Sequence, residues 1–205
     1  MSARSPRSPH SPRSPRSPRS LRALLPLAAT ASLALTAGPA AAAGPGGSEP
    51  PDPAAWADLT KAYAATERYV WEPYALNDGW QPDTFCMTDP KGGGAMGIHY
   101  WKPENIGSTD PSRPAALLYE DDPRTGEREL VGAEWLVPDK DGDLTTSQDR
   151  PTIFGQPFNG PMPGHKPGQP VHYDLHVWLW KDNPDGMYKT WNPAIACKPG
   201  STTPH

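Results

Sequence analysis

The protein has 205 residues, of which 36% are hydrophobic and 20% are charged, and its formal net charge is −4 at neutral pH. A chain of this length is sufficient for one domain with its own hydrophobic core. No Gly-x-Ser-x-Gly motif is present, and the serines that follow the N-terminal region lie in turn-like or terminal segments. The composition therefore argues against a serine hydrolase.

Residues 1–43 have the pattern of a cleaved Sec-type secretory signal peptide. A basic region with six arginines and no acid precedes a short run rich in alanine and leucine, and Ala41 and Ala43 form an A-x-A cleavage site. The apolar run is too short and too rich in alanine for a membrane span. We therefore predict a secreted protein, with residues 44–53 as a mobile, proline- and glycine-rich leader.

Cleavage after residue 43 would change the charge of the protein considerably. It removes six of the 19 basic residues and none of the 23 acidic ones, which leaves 13 basic residues, 23 acidic residues and a net charge of −10. A surface of this sign repels phosphate backbones and anionic lipid headgroups. We expect no nucleic-acid partner and no membrane insertion, whereas small molecules, metal ions and other proteins remain as partners.

The mature chain begins with a helical pattern. Trp56, Leu59 and Tyr63 recur at helical spacing, and Asp52 followed by Pro53 is a favourable start for a helix. The pattern ends or kinks near Pro73, and a further turn extends to the Asn-Asp-Gly sequence at 77–79. The sequence predicts one helix or a helix pair here.

After Cys86 the pattern becomes that of β-strands. Four segments are short, rich in aromatic and aliphatic residues and separated by turn residues, namely 95–101, 115–120, 129–138 and 171–180. Residues 121–127 are typical of a hairpin turn, and residues 139–170 are predicted to be a long loop. Strands that follow helices without alternating with them predict an α+β fold. An antiparallel sheet and a partial barrel of four or more strands both fit, within a single globular domain at 54–197 followed by a tail at 198–205.

Cys86 and Cys197 are the only cysteines, and both lie in the exported part of the chain. In an oxidising compartment two cysteines near the two ends of a domain are expected to pair. Two free thiols and an intermolecular bond are the alternatives.

The last predicted strand carries polar residues on one face. Alternation places His172, Asp174, His176, Trp178 and Trp180 together, opposite an aliphatic and aromatic core face. His172 and His176 are about 13 Å apart along a strand, at ~3.3 Å per residue, so they cannot bind the same ion. Asp174 and His176 are close enough to converge on one ligand, or Asp174 can orient the imidazole.

His99, Glu134 and His176 form the predicted metal site. His99 lies in the first predicted strand, and Glu134 lies among aliphatic neighbours in the third, where a charge is costly without a partner. Imidazole and carboxylate groups that converge from neighbouring strands can hold Zn²⁺, Cu²⁺ or Fe²⁺. A transition metal of this kind is the predicted cofactor.

The alternative to a metal site is a ligand pocket with polar and aromatic walls, or a purely structural role for these side chains. The predicted ligand-binding residues are Trp101, Tyr119, Asp174 and Trp178. Flat aromatic faces suit a ring or a sugar, although tryptophans can also form a core around one disulfide.

A calcium loop at residues 139–147 is disfavoured. Asp139, Asp141 and Asp143 alternate as in such loops. However, the glycine stands at the fourth position instead of the sixth, and the twelfth position is Arg150 instead of glutamate.

The chain resembles a group of exported bacterial proteins with no assigned activity. The resemblance rests on Met-Gly-x-His-Tyr at 96–100, Leu-Tyr-Glu at 118–120 and Asp-Leu-His-x-Trp at 174–178, between the two cysteines, and extends over about residues 57–197. It implies a single domain with a terminal disulfide and implies no activity.

Three functions are therefore compatible with the sequence. The first is binding of a small molecule or a metal ion in a polar-aromatic pocket that the loop 139–170 covers. The second is a metal-dependent enzyme that uses His99, Glu134 and His176 with a water in an open position. The third is a structural or protein-interaction module without a pocket.

Overall fold

A computed structural model of the protein describes residues 52–165 and 168–201. The predicted signal peptide, the leader up to residue 51 and the last four residues of the tail lie outside the described residues. All described residues belong to one compact unit. Among them, no helix has both the length and the apolar character that crossing a membrane requires.

Two α-helices begin the fold, as the sequence predicts. Helix α1 is Pro53–Thr66, and Asp52 caps it by accepting a 3.0 Å hydrogen bond from the backbone N–H of Ala54. A 3₁₀ turn, Glu67–Val70, leads to helix α2, Glu72–Asn77. The Asn-Asp-Gly sequence ends α2 because Gly79 takes a positive φ of 84°.

The remaining chain forms an antiparallel sheet, which confirms the α+β fold. The strands are β1 (Gln81–Pro82), β2 (Met87–Thr88), β3 (Ala95–Trp101), β4 (Ala116–Asp121), β5 (Arg128–Pro138), β6 (Thr152–Ile153), β7 (Gln156–Pro157), β8 (Asn159–Met162) and β9 (His172–Val177). A second 3₁₀ turn, Pro103–Asn105, lies between β3 and β4. Seven strands share one sheet in the order β1-β3-β4-β5-β9-β8, with β2 also paired to β3. Because β1 and β8 stand at the two ends of this order, the sheet is open.

The predicted loop 139–170 contains three short strands that the sequence pattern did not reveal. Strands β6 and β7 form a separate hairpin of two residues on each side, and β8 pairs with β9. Strands of two to four residues are too short to show alternation. Strand β9 also ends at Val177, before the predicted end at residue 180, because the backbone N–H of Trp178 bonds to the carbonyl of Met187 instead of a sheet neighbour.

The strand register assigns the central residues to two faces of the sheet. The helix face packs against the N-terminal helices and carries Trp135, Tyr173 and Leu175 together with Leu59 of α1. The opposite face, called the second face below, carries His99, Trp101, Ala116, Leu118, Gly132, Glu134, Leu136, His172, Asp174 and His176. Both faces are largely buried, so the ionisable groups of the second face lie inside the protein.

The predicted disulfide between Cys86 and Cys197 is confirmed. The two residues are 111 positions apart in sequence and their Cα atoms are 5.7 Å apart. Cys86 directly precedes β2, which pairs with β3. The bond therefore ties the C-terminal segment to the strand that carries His99.

Replacing Gly97 in β3 is expected to destabilise the fold strongly. Its φ is +89°, and a Cβ atom at this position would lie 2.5 Å from the carbonyl oxygen of Tyr119 in β4. Gly97→Ala should lower the free energy of unfolding by about 3 kcal/mol, since left-handed backbone strain and a backbone clash add together. Urea unfolding followed by tryptophan fluorescence measures this loss.

Gly79→Ala is the matched control for that substitution. Gly79 has nearly the same φ, +84°, but no atom lies within 4 Å of its added Cβ. It should lose only about 1 kcal/mol, from the backbone conformation alone. Equal losses for the two variants would show that the approach of β3 to β4 is not the cause.

Candidate metal centre

Strands β3, β5 and β9 bring the three predicted metal ligands together on one face of the sheet. Glu134 on β5 is directly opposite His176 on β9, and His99 lies on β3, with β4 between it and β5. On β4 the residue opposite Glu134 is Ala116. Its small side chain leaves room for the imidazole of His99 and the carboxylate of Glu134 to approach each other across β4.

The distances are short enough for a shared ion. One ligand atom from each of His99, Glu134 and His176 lies within 4.8 Å of the other two. His99 Nε2 is 3.2 Å from Glu134 Oε2. The two imidazole rings are 6.3 Å apart between centroids and nearly perpendicular, at 85°.

Burial leaves some of these imidazole atoms without a hydrogen bond. The exposed fractions of His99, Glu134 and His176 are 3%, 2% and 0%. His99 Nδ1 and both nitrogens of His176 make no hydrogen bond with the described protein. Buried polar atoms are normally paired, because desolvation without a partner costs roughly 1–3 kcal/mol each. The arrangement is therefore poorly explained as a self-contained hydrogen-bond network.

The electrostatics of the site favour the protonation states that bind metals. Burial alone would raise the pKa of Glu134, but the close His99 imidazole and the charges of the neighbouring histidines outweigh it and lower that pKa to about 2. Burial lowers the pKa of His176 to about 4. A carboxylate and a neutral imidazole are the forms in which these residues coordinate a cation.

Two tryptophans form walls beside the imidazoles. The ring of Trp101 stacks on His99 at 5.2 Å between centroids with 9° between the planes, and its Nε1 donates to Asp83 Oδ2. The ring of Trp178 lies 6.4 Å from that of His176, and its Nε1 donates to the carbonyl of Lys189. Both indole N–H groups are satisfied, so these rings shape the site as apolar surfaces.

Asp174 lies beside His176, as predicted from the strand. Its Oδ1 is 4.0 Å from His176 Nδ1 and accepts a 3.4 Å hydrogen bond from Asn159 Nδ2. Burial and the negative charge of Glu134 raise the pKa of Asp174 well above its ordinary value. The second face therefore holds two buried carboxyl groups, those of Glu134 and Asp174.

Tyr119, one of the four predicted ligand-binding residues, lies on the opposite face of the sheet from Trp101 and Asp174. It lies on the helix face, where its ring contacts Tyr100 at 4.4 Å and its hydroxyl donates to the carbonyl of Tyr69. Burial raises its pKa. Strand β4 is apolar on both faces, so its alternation could not show which face Tyr119 occupies.

A surface cavity of about 500 Å³ adjoins the centre on the outer side of Trp101. Its wall includes Trp101, Asp83, Ile106 and Pro170. Of the four predicted ligand-binding residues, Trp101 alone appears among those that line it. Trp101 thus separates this cavity from His99.

Two of the acidic residues at 139–143, Asp141 and Asp143, bond to their own loop. Asp141 Oδ1 accepts from the N–H of Asp143, and Asp143 Oδ1 accepts from the N–H of Thr145. Such bonds are typical of turns.

His165 is the residue near the centre that sequence reasoning missed. It lies outside the regular strands, and its ring is 5.3 Å from that of His172 between centroids. No periodic pattern could place it there, because loop residues follow none. The short spacing from His165 to His172 within a proline-rich segment was the only available signal.

The arrangement can bind a first-row transition metal through two imidazoles and one carboxylate, a donor set that Zn²⁺, Cu²⁺ and Fe²⁺ accept. The chain matches no protein-family model, no curated protein and no solved structure.

Proposed function

We propose that this is an exported metal-binding protein, which holds one transition-metal ion such as Zn²⁺, Cu²⁺ or Fe²⁺ through His99, Glu134 and His176. The observation that supports it is the convergence of three ligand atoms within 4.8 Å at a fully buried position where imidazole nitrogens have no hydrogen-bond partner among the described residues. A cation would supply the missing partner for the lone pair of the neutral His176 imidazole.

Metal binding explains these residues better than the two alternatives. A purely structural cluster is expected to satisfy its own buried polar groups. A metal-dependent enzyme needs an open coordination position that a substrate can reach, whereas none of the three ligands is more than 3% exposed. Binding of the ion itself is therefore the function that the geometry supports best.

Export is part of the proposal. It rests on the predicted signal peptide at residues 1–43 and is supported by the Cys86–Cys197 disulfide, since such bonds persist in oxidising compartments. Membership in the exported group that the sequence resembles remains a prediction.

The test is the metal content of the mature protein, residues 44–205, purified from an export host and reloaded separately with Zn²⁺, Cu²⁺ and Fe²⁺, the last without oxygen. We expect a His99→Ala/His176→Ala variant to hold one equivalent per chain less than the wild type by mass spectrometry of the metals. Circular dichroism shows whether the variant is folded.

An Asp141→Ala/Asp143→Ala variant is the control. It removes two exposed acids that bond only to their own loop in the described structure, so it should lose metal only if binding is non-specific surface attraction. No retained metal in the wild type, or the same content in all three proteins, would refute the proposed site.

A further inference from the structure

We infer that the second face carries a second metal site, formed by His165, His172 and Asp174. One ligand atom from each of these residues lies within 4.8 Å of the other two. The rings of His165 and His172 are 5.3 Å apart and steeply inclined, at 76°. The group is separate from the site proposed above and shares no residue with it.

The hydrogen bonds of His172 prepare one of its nitrogens for an ion. His172 Nδ1 lies 3.0 Å from the carbonyl oxygen of Pro170. A carbonyl can only accept, so Nδ1 carries the hydrogen and the neutral ring has its lone pair on Nε2. A backbone carbonyl that holds one nitrogen of a histidine while the other binds is the usual environment of a metal-ligating imidazole.

Two buried atoms of His172 and Asp174 have no hydrogen-bond partner in the part of the chain that the structure describes. His172 Nε2 and Asp174 Oδ2 make no hydrogen bond there, although the two residues are 0% and 1% exposed. Asn159 bonds to the other carboxylate oxygen, Oδ1. An imidazole lone pair and a carboxyl oxygen, both buried, are completed either by a proton or by a cation that takes its place.

His165 makes the second site more accessible to solvent than the first. It is exposed, and its backbone N–H donates to Gln169 Oε1 at 2.8 Å. The second site therefore has two buried ligands and one ligand at the surface, which provides a route for the ion. Two imidazoles and one carboxylate favour Zn²⁺ or Cu²⁺ over Mg²⁺ or Ca²⁺, which prefer oxygen.

Asp174, a proposed ligand of the second site, also lies close to the first site. It follows His172 by two residues and precedes His176 by two, on the same face of β9, and its Oδ1 is 4.0 Å from His176 Nδ1. Each divalent cation would have one carboxylate ligand, Glu134 in the first site and Asp174 in the second, and the two carboxylates would offset half of the charge of the two ions. The second face then binds a pair of ions, one enclosed and one exchangeable.

Zn²⁺ titration by calorimetry, with metal-free mature protein, counts the sites and separates them. The wild type should bind two equivalents. His165→Ala changes an exposed residue, so the fold is retained, and it should weaken one of the two sites at least a hundredfold. Asp141→Ala/Asp143→Ala is the control, because it removes two exposed acids that bond only to their own loop in the described structure, and it should bind as the wild type does.

The outcomes distinguish this inference from the proposed function. One ion that is lost in His99→Ala/His176→Ala but unaffected by His165→Ala overturns the second site and leaves the first. One ion with the reverse behaviour supports the second site and removes the first. Equal weakening by Asp141→Ala/Asp143→Ala and His165→Ala overturns the assignment of His165 as a ligand. Zinc binding that no variant changes, or none at all, overturns both sites.

Discussion

Replacing both cysteines, Cys86→Ala/Cys197→Ala, is expected to lower the free energy of unfolding by about 4–5 kcal/mol. The bond joins residues 111 positions apart, and closing a loop of that length removes a large part of the entropy of the unfolded chain. For a chain of this size the melting temperature should fall by roughly 10–20 °C. Differential scanning calorimetry of the mature protein measures both quantities.

A reducing agent separates the disulfide from side-chain packing in this experiment. Reduction of the wild type should lower its melting temperature to about that of the double alanine variant, and the variant itself should not respond. Cys86 is also packed with Trp178 and Ile195 in one buried cluster. If the variant were much less stable than the reduced wild type, lost packing and not the cross-link would be the main cause.

The disulfide and the candidate centre are connected through β3 and the C-terminal segment. Cys86 directly precedes β2, which pairs with β3. Trp178 and Ile195, from the same buried cluster, lie between β9 and Cys197 in sequence. The same cluster contains Leu118, which is opposite His99 in the sheet register. The cross-link thus stabilises the buried cluster that includes Leu118 of the second face. This packing helps to keep the ionisable groups of that face away from water.

Much of this architecture could be predicted because alternation along a strand is a strong signal. Strand β3 has the predicted bounds, and the faces of β3, β5 and β9 follow directly from the period of two. Glu134 was recognisable because a charge among aliphatic neighbours is costly and requires a partner. The approach of His99 to Glu134 depends additionally on Ala116 in β4, which the order of strands in the sheet reveals and the sequence pattern alone does not.

The features that could not be predicted lack such a repeating signal. Tyr119 lies in a strand that is buried on both faces, where alternation carries no information. His165 is positioned by the course of an irregular segment, and β8 is a four-residue strand that contains Pro161. In each case the pairing of distant segments decides the position, and local sequence is a weak guide to such pairing.

Glu134→Gln tests the first metal site without removing an imidazole or leaving a cavity, and it should abolish most of the stabilisation that metal provides. At a free Zn²⁺ concentration about 1,000 times the dissociation constant, one site stabilises the wild type by about 4 kcal/mol. Losing the anionic ligand should weaken binding at least a hundredfold. At the same Zn²⁺ concentration the stabilisation then falls to about 1.4 kcal/mol. The metal-induced rise in melting temperature should be smaller by roughly 5–10 °C.

Glu129→Gln is the matched control, since it makes the same substitution at an exposed position of the same strand, β5. It should respond to Zn²⁺ as the wild type does. In the presence of a chelator, Glu129→Gln should melt within a few degrees of the wild type, whereas Glu134→Gln should melt lower because it removes one partner of the buried His99–Glu134 pair. The effect of Zn²⁺ is therefore measured for each protein as the rise above its own metal-free melting temperature. An unchanged response of Glu134→Gln to Zn²⁺ would show that the ion is bound elsewhere. The proposed second site is unaltered in the wild type, Glu134→Gln and Glu129→Gln. It therefore adds the same amount to the zinc-induced rise in melting temperature of all three proteins, and the difference between them reports on Glu134 alone.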